Sequence, residues 1–408
     1  MGTSAPYRSG SPQDRPVATK AWAMRRIGEV LLADARERRR DASTVDRGGV
    51  PRSPDELDAW WLTGVLCHGS PGARVSSVTP LRSSSGTTMR AALELSYNEI
   101  GAAAGLPTRL FAKSTTTLAQ RLMLGLGGFI AGEPGFYTQV RPGLEIEAPI
   151  GYFGVVDPAS WRSIVLIEDV ASTRGASFCE PSTEITRERI EDLLAGAATW
   201  HGALWDSERL GQWRWLKAPA EQMRVIDALI GLANRTHAGA KRAREVIPPA
   251  LRTRQADLYA GMRRAMELLS QGPRTYLHGD LHIANAYLTQ DGRMGICDWQ
   301  TSLQGSWAHD YAYIVATALR IEDRRAWEAQ LLHFYLERLS AAGGEAIPRE
   351  RAWQCYRQAL LYPYFAWVYT LGRSRLQPAF QPAAISLAMI ERIAAAIDDL
   401  DALGAVGL

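Results

Sequence analysis

Apolar and polar residues alternate in RVSSVTPL, from Arg74, and in MRAALELSY, which ends at Tyr97, with the polar run RSSSGTT between them. A period of two turns one face of each segment toward a core, so the pair reads as an antiparallel hairpin. A further strand, RLFAKS, is expected after Pro107, and the continuous apolar run in SIVLIEDV suits a strand buried on both faces. Past Pro181 the period changes. Ile185, Leu193, Leu194, Ala197 and Leu204 recur at helical spacing, and other helical patterns cover 220–270, 306–319, 325–340 and 351–397, with an interruption near Pro378 to Pro382. A small sheet-containing half therefore precedes a larger helical half. The run Ser53-Pro54-Asp55-Glu56 predicts a capping box ahead of LDAWWLTGVL, which marks the start of the folded region. Residues 1–52, rich in Pro, Ser and Gly and then basic, read as a tail and helix of uncertain order.

Composition narrows the function classes. With 408 residues, 46% of them hydrophobic, the chain can build two cores. No run reaches the roughly 20 apolar residues of a membrane span, and the first residues have no signal-peptide core, so a cytoplasmic protein is expected. Cys67, Cys179, Cys297 and Cys355 are too scattered for a disulfide framework or a CxxC metal site. The net charge of +3 points to neither nucleic acid nor a membrane surface as a partner. The oligomeric state is not legible.

Chemistry concentrates in HGDLHIANAYLTQDGRMGICDW, residues 278–299. Asp291-Gly292 signals a two-residue hairpin turn, and counting outward from it pairs Ala286 with Cys297 and Asn285 with Asp298. An amide oxygen and a carboxylate so opposed would suit magnesium. Asp280 lies five residues before Asn285, the kind of separation that leaves room for a hydroxyl and a phosphate chain between base and metal. Two other readings stand beside this one. A DG turn with polar ends is common in any protein, and His278, Asp280 and His282 could form a zinc or di-metal hydrolase site.

The run HGDLHIAN, followed thirteen residues later by DW, resembles the catalytic loop and metal motif of the aminoglycoside phosphotransferase and choline kinase superfamily. GLPTRLFAK, ExxFY, LIEDV, WHGALW and DWQ look most like its ecdysteroid-kinase-like branch, over roughly residues 53–400. The resemblance implies an α+β, bilobal protein-kinase-like fold. Residues 53–170 would form a small antiparallel-sheet N-lobe that binds nucleotide, and 171–408 a mainly helical C-lobe with the catalytic loop and acceptor-binding helices. It implies an ATP-dependent phosphotransferase acting on a small-molecule alcohol, with ATP and Mg2+ as cofactors. Asp280 would be the catalytic base, and Asn285 and Asp298 the metal ligands. Lys113, paired with Glu133, would contact phosphates; Ser84, Ser85, Gly86 and Thr87 would cover them; the backbone from Leu166 through Glu168 to Val170 would meet the adenine. Glu145 or Glu147 could replace Glu133, because Pro134-Gly135 would end or distort a helix there. The covering loop has a single glycine, Gly86, so serine and threonine hydroxyls and amides take over phosphate contact. His278 and Asp310 are expected to support the loop, and His201 to be a satisfied core histidine. A nucleotide-binding pseudokinase or scaffold is the alternative from another class.

The acceptor is constrained only by charge. Residues 213–264, where related kinases often place acceptor-binding helices, carry eleven Lys or Arg against four Asp or Glu. A polycationic acceptor would call for carboxylates, so a neutral or anionic hydroxyl compound is expected. An Arg-rich solvated helix face would leave the same pattern, and the aromatic run YPYFAWVYTLG at 362–372 fits either a cleft wall or core.

Overall fold

The computed structural model describes residues 19–39, 49–373 and 381–408; the opening Pro, Ser and Gly-rich stretch and the residues around Pro378 lie outside them. Helix α1 (Lys20–Arg39) comes first, then α2 (Ala59–Leu66). The capping box expected at Ser53 is not formed. Pro54–Glu56 is one 3-10 turn, and α2 starts instead at Ala59, where the Asp58 carboxylate caps it by accepting from Trp61 N at 2.7 Å.

Five antiparallel strands follow: β1 (Val75–Ser85), β2 (Met89–Tyr97), β3 (Arg109–Ser114), β4 (Gly151–Val156) and β5 (Ser163–Glu168), in the order β1-β2-β3-β5-β4. One face, with Leu93, Leu110, Ala112 and Leu166, packs against Leu62 and Leu66 of α2. Alternation then sends Lys113 and Arg90, which are paired across β3 and β2, to the other face. Strand β1 runs further than its sequence suggests. Ser84 and Ser85 pair with Arg90 and Met89, so the expected loop shrinks to the turn around Gly86–Thr88. Its edge position tolerates Pro80 and the register shift between Pro80 and Arg82.

Between β3 and β4 lie α3 (Leu118–Gly127) and the short α4 (Gly132–Gly135). The mainly helical remainder contains β6 (Ser177–Phe178), α5 (Arg187–Ala203), α6 (Pro219–Ile230) and α7 (Gln255–Leu269). Next come β7 (Thr275–Leu277), β8 (Ala286–Leu288), β9 (Met294–Ile296), β10 (Leu303–Gly305), α8 (Ala308–Ala318) and α9 (Leu361–Leu371). Strand β7 pairs with β10, and β8 lies between β6 and β9. Among the described residues no helix is long and apolar enough to cross a membrane. The fold is thus α+β, an antiparallel-sheet lobe joined to a mainly helical lobe.

Helix α1 docks on α3 through charge. Arg121, 1% exposed, is ion-paired to Asp34 and also donates to Ser160 O at 3.1 Å, while Arg162 reaches Glu37 at 2.7 Å. A guanidinium so buried is stable only with its partners in place. Arg121→Met should therefore lower unfolding free energy by about 2 kcal/mol in urea titrations, less than a fully isolated buried charge because Arg38 still meets Asp34. Arg38→Met, at the exposed end of the same carboxylate, should cost under about 0.5 kcal/mol.

Candidate active site

The loop after β7 is held from α8. The Asp310 carboxylate accepts from His278 N at 2.7 Å and Gly279 N at 3.0 Å, and its Oδ2 also lies 3.3 Å from His201 Nε2. Gly279 has φ +79°, and any Cβ there would fall on the Thr301 carbonyl, so the tight turn requires glycine. His278 spends both ring nitrogens: Nδ1 accepts from Asp280 N at 3.3 Å, and Nε2 faces Cys297 O at 3.0 Å. Burial pushes its pKa down against the pull of Asp310, in keeping with a neutral ring that ties the loop to the end of β9. His201 is held between Tyr335 OH, at 2.7 Å, and Asp310, as a satisfied core histidine.

This frame leaves the Asp280 carboxylate partly exposed. Oδ1 accepts from Tyr313 OH at 2.7 Å, and His282 Nε2 lies 3.5 Å from Oδ2. Burial raises its pKa, but His282 and the Tyr313 hydroxyl outweigh burial and hold the carboxyl below its ordinary value. Tyr313 was not singled out in the sequence, although it follows Asp310 by three residues on one helix and so faces the same loop. The zinc reading fails on His278. His278 has no nitrogen to spare, and among the described residues no group of three or more His, Cys, Asp or Glu side chains is placed to hold a metal ion.

The hairpin register differs from the count based on a two-residue turn. Ala286 opposes Ile296 and Leu288 opposes Met294, so Asn285 meets Cys297, whose N–H donates to Asn285 O at 2.9 Å. The cause is a side chain. Thr289 Oγ1 accepts from Arg293 N at 2.9 Å, which closes a three-residue loop, with Gly292 at φ +87°. Asp298 is therefore one residue beyond the partner of Asn285, and its left-handed backbone (φ 64°, ψ 58°) turns the chain at that point. Asn285 donates through Nδ2 to Asp280 O at 2.9 Å, which leaves its Oδ1 as a ligand atom.

Lys113 joins the two lobes. Its Nζ lies 2.7 Å from the Glu133 carboxylate and 2.9 Å from Asp298 Oδ1. Burial pushes Glu133 up in pKa despite Lys113; burial also raises Asp298, but the Lys113 charge prevails and brings it down to about 2. Pro134 does not displace Glu133, since it sits in the first turn of α4, where a missing N–H costs nothing. Gly132 allows the close approach: a Cβ there would collide with the Gln300 carbonyl. Phe136 stacks on Trp299 with ring centroids 3.7 Å apart, which locks ExxFY to DW. Glu147 is not a substitute for Glu133. It pairs with Arg174 and accepts from Tyr287 OH at 2.9 Å.

Glu168, at the end of β5, is tied to Arg174 at 2.5 Å and accepts from Ile150 N at 3.1 Å, so its side chain braces the connection between the lobes. Val170 opens the short helix that follows. At the covering turn Gly86 N donates to Thr88 O at 3.0 Å and Gly86 O accepts from Gln120 Nε2 at 2.9 Å, so both backbone groups of the lone glycine are engaged.

A cavity of about 110 Å3 lies behind the Asp280 loop, among α6, α7, β10 and the start of α8. Its walls are largely apolar, with Met262, Met266, Leu269 and Ala359, and His309 and Tyr362 stand on the loop side, where His309 Nε2 is 3.4 Å from Gly279 O. Among the described residues that line it, Arg274 is the one Lys or Arg and none is Asp or Glu. The rest of the aromatic run splits, with Tyr364, Phe365 and Trp367 of α9 buried in the core.

Solved structures resemble this fold at low identity. The choline kinase LicA from Streptococcus pneumoniae is 15% identical, with 80% of this chain and 94% of that chain covered and a TM-score of 0.43. An aminoglycoside phosphotransferase from Streptomyces rimosus is 15% identical, with 70% and 90% covered and a TM-score of 0.38. A choline kinase from Cryptosporidium parvum is 11% identical, with 83% and 95% covered and a TM-score of 0.47. No curated protein matches the sequence. Residues 157–353 match the model of the phosphotransferase enzyme family. That span contains Asp280, Asn285 and Asp298 together with Asp310, whose carboxylate holds the Asp280 loop.

Proposed function

We propose that the protein is an ATP-dependent kinase that transfers the γ-phosphate to a hydroxyl of a neutral or anionic small molecule. The observation that carries this reading is the Lys113 ammonium held between Glu133 and Asp298, next to a loop that presents Asp280. Lys113 is fixed by Glu133 and neutralises phosphate oxygens. Asp280, ionised at neutral pH, accepts the hydrogen bond of the acceptor hydroxyl, orients its oxygen for in-line attack and takes its proton. Asn285 Oδ1 and the Asp298 carboxylate are hard oxygen donors of the kind magnesium prefers, and they would hold the ion. Bound there, magnesium would offset charge on the phosphate oxygens. The backbone from Leu166 to Val170 would meet the adenine, under the end of β1 at Ser84 and Ser85 and the turn at Gly86 and Thr87.

The acceptor class rests on the cavity beside His309 and Tyr362. A polycation placed there would find an arginine and no carboxylate. An alcohol with an apolar body is the better fit.

Incubation with ATP, magnesium and a panel of hydroxylated metabolites should give a product heavier by one phosphate in mass spectra, and tight ATP binding without turnover on any panel member would favour the scaffold instead. Asp280→Asn should cut kcat by at least about 10³-fold while ATP affinity stays within about threefold. The Tyr313 hydroxyl holds the Asp280 pKa down. Its loss in Tyr313→Phe must raise that pKa, so the acid limb of the kcat profile should move to higher pH; an unshifted limb would remove Asp280 as the titrating base.

A further inference from the structure

Arg90 stands on β2 directly opposite Lys113 on β3, so both cations leave the sheet on the face turned toward Glu133 and Asp298. Its Nε is buried without a hydrogen-bond partner. A Cβ built on Gly86 would come within 3.8 Å of Arg90 Nη2, which places the guanidinium beneath the covering turn. Its charge acts on the groups of the site: with Lys113 it holds Asp298 down, and it opposes the rise of Glu133 and of the Cys297 thiol.

Within the turn, the lone glycine has no backbone group free for a phosphate, and Thr88 Oγ1 is buried beside Lys113 without a partner. The Gly86 N–H is spent on Thr88 O, and its carbonyl is fastened to Gln120. A loop that cradles phosphate does so with free amides, and here the lone glycine has none. Lys113 is already committed to two carboxylates. A planar fork of donors with a buried, unsatisfied nitrogen stands at the same place, with the geometry that suits phosphate oxygens.

We infer that Arg90 is a second phosphate-binding residue, which grips the β- and γ-phosphates of the nucleotide from under the Gly86 turn in place of loop amides. The inference rests on the kinase reading above. Its position beside Asp298 sets it at the end of the phosphate chain where transfer occurs.

The test is calorimetric titration of ATP, ADP, AMP and adenosine, in magnesium, into the intact protein and into Arg90→Gln and Arg90→Lys. Arg90→Gln should bind ATP and ADP about 10- to 100-fold more weakly, while AMP and adenosine change by less than about twofold. Arg90→Lys should fall between, because it keeps the charge and loses the fork. An equal loss for all four ligands, or no loss for any, would show that Arg90 only balances the charge of Asp298 and Glu133. Arg90→Lys keeps that balance, so it carries the test if Arg90→Gln does not fold. Wild-type protein that binds ATP no better than adenosine would sink the kinase reading as well, an outcome distinct from a wild-type preference for ATP that survives in both variants.

Discussion

One ammonium group, on Lys113, holds two carboxylates that approach from different parts of the chain, Glu133 from α4 and Asp298 from the end of β9. Without it the two negative charges would repel each other across a buried space, and burial would penalise both. The surrounding construction serves this meeting. Gly132 lets α4 touch the backbone after Asp298, Phe136 stacks on Trp299 to keep it there, and strand alternation delivers Lys113 to the right face of the sheet. The contact spans the lobes, and the Phe136–Trp299 stack and the close approach at Gly132 hold the same junction.

The covering turn and the charges below it form a compensating pair. The turn is closed by a hydrogen bond within it and another to Gln120. Beneath it the sheet places Arg90 and Lys113 side by side. The same economy appears in the catalytic loop, where His278 and Asp310 consume their polar atoms on backbone groups and leave only Asp280 facing outward.

Much of this could be read from residues alone, because spacing along the chain survives folding. Asp280, Asn285 and Asp298 are near one another in sequence, and the resemblance carried by their loop implied the pairing of Lys113 with Glu133, which lie 2.7 Å apart. The register of the hairpin was not legible, since it depends on the Thr289 hydroxyl closing a three-residue loop where Asp291-Gly292 suggests two. Strand β4 was missed for a different reason: GYFGVV carries two glycines and all six residues are half-buried, so no alternation shows. Arg90 carried no expectation in the sequence. Only the pairing with Lys113 reveals that its face is turned toward the other lobe.

The left-handed backbone of Asp298 (φ 64°) has a consequence for what can replace it. Most side chains pay a steric penalty of about 1 kcal/mol in that conformation, and only Gly, Asn and Asp enter it readily. The position is thus filtered twice, once by shape and once by the negative charge that meets Lys113. Glycine would satisfy the first filter and glutamate only part of the second. Tolerance at 298 should therefore collapse to aspartate for activity but widen to glycine and asparagine for folding, and the gap between those two sets measures how far chemistry, rather than architecture, dictates this residue.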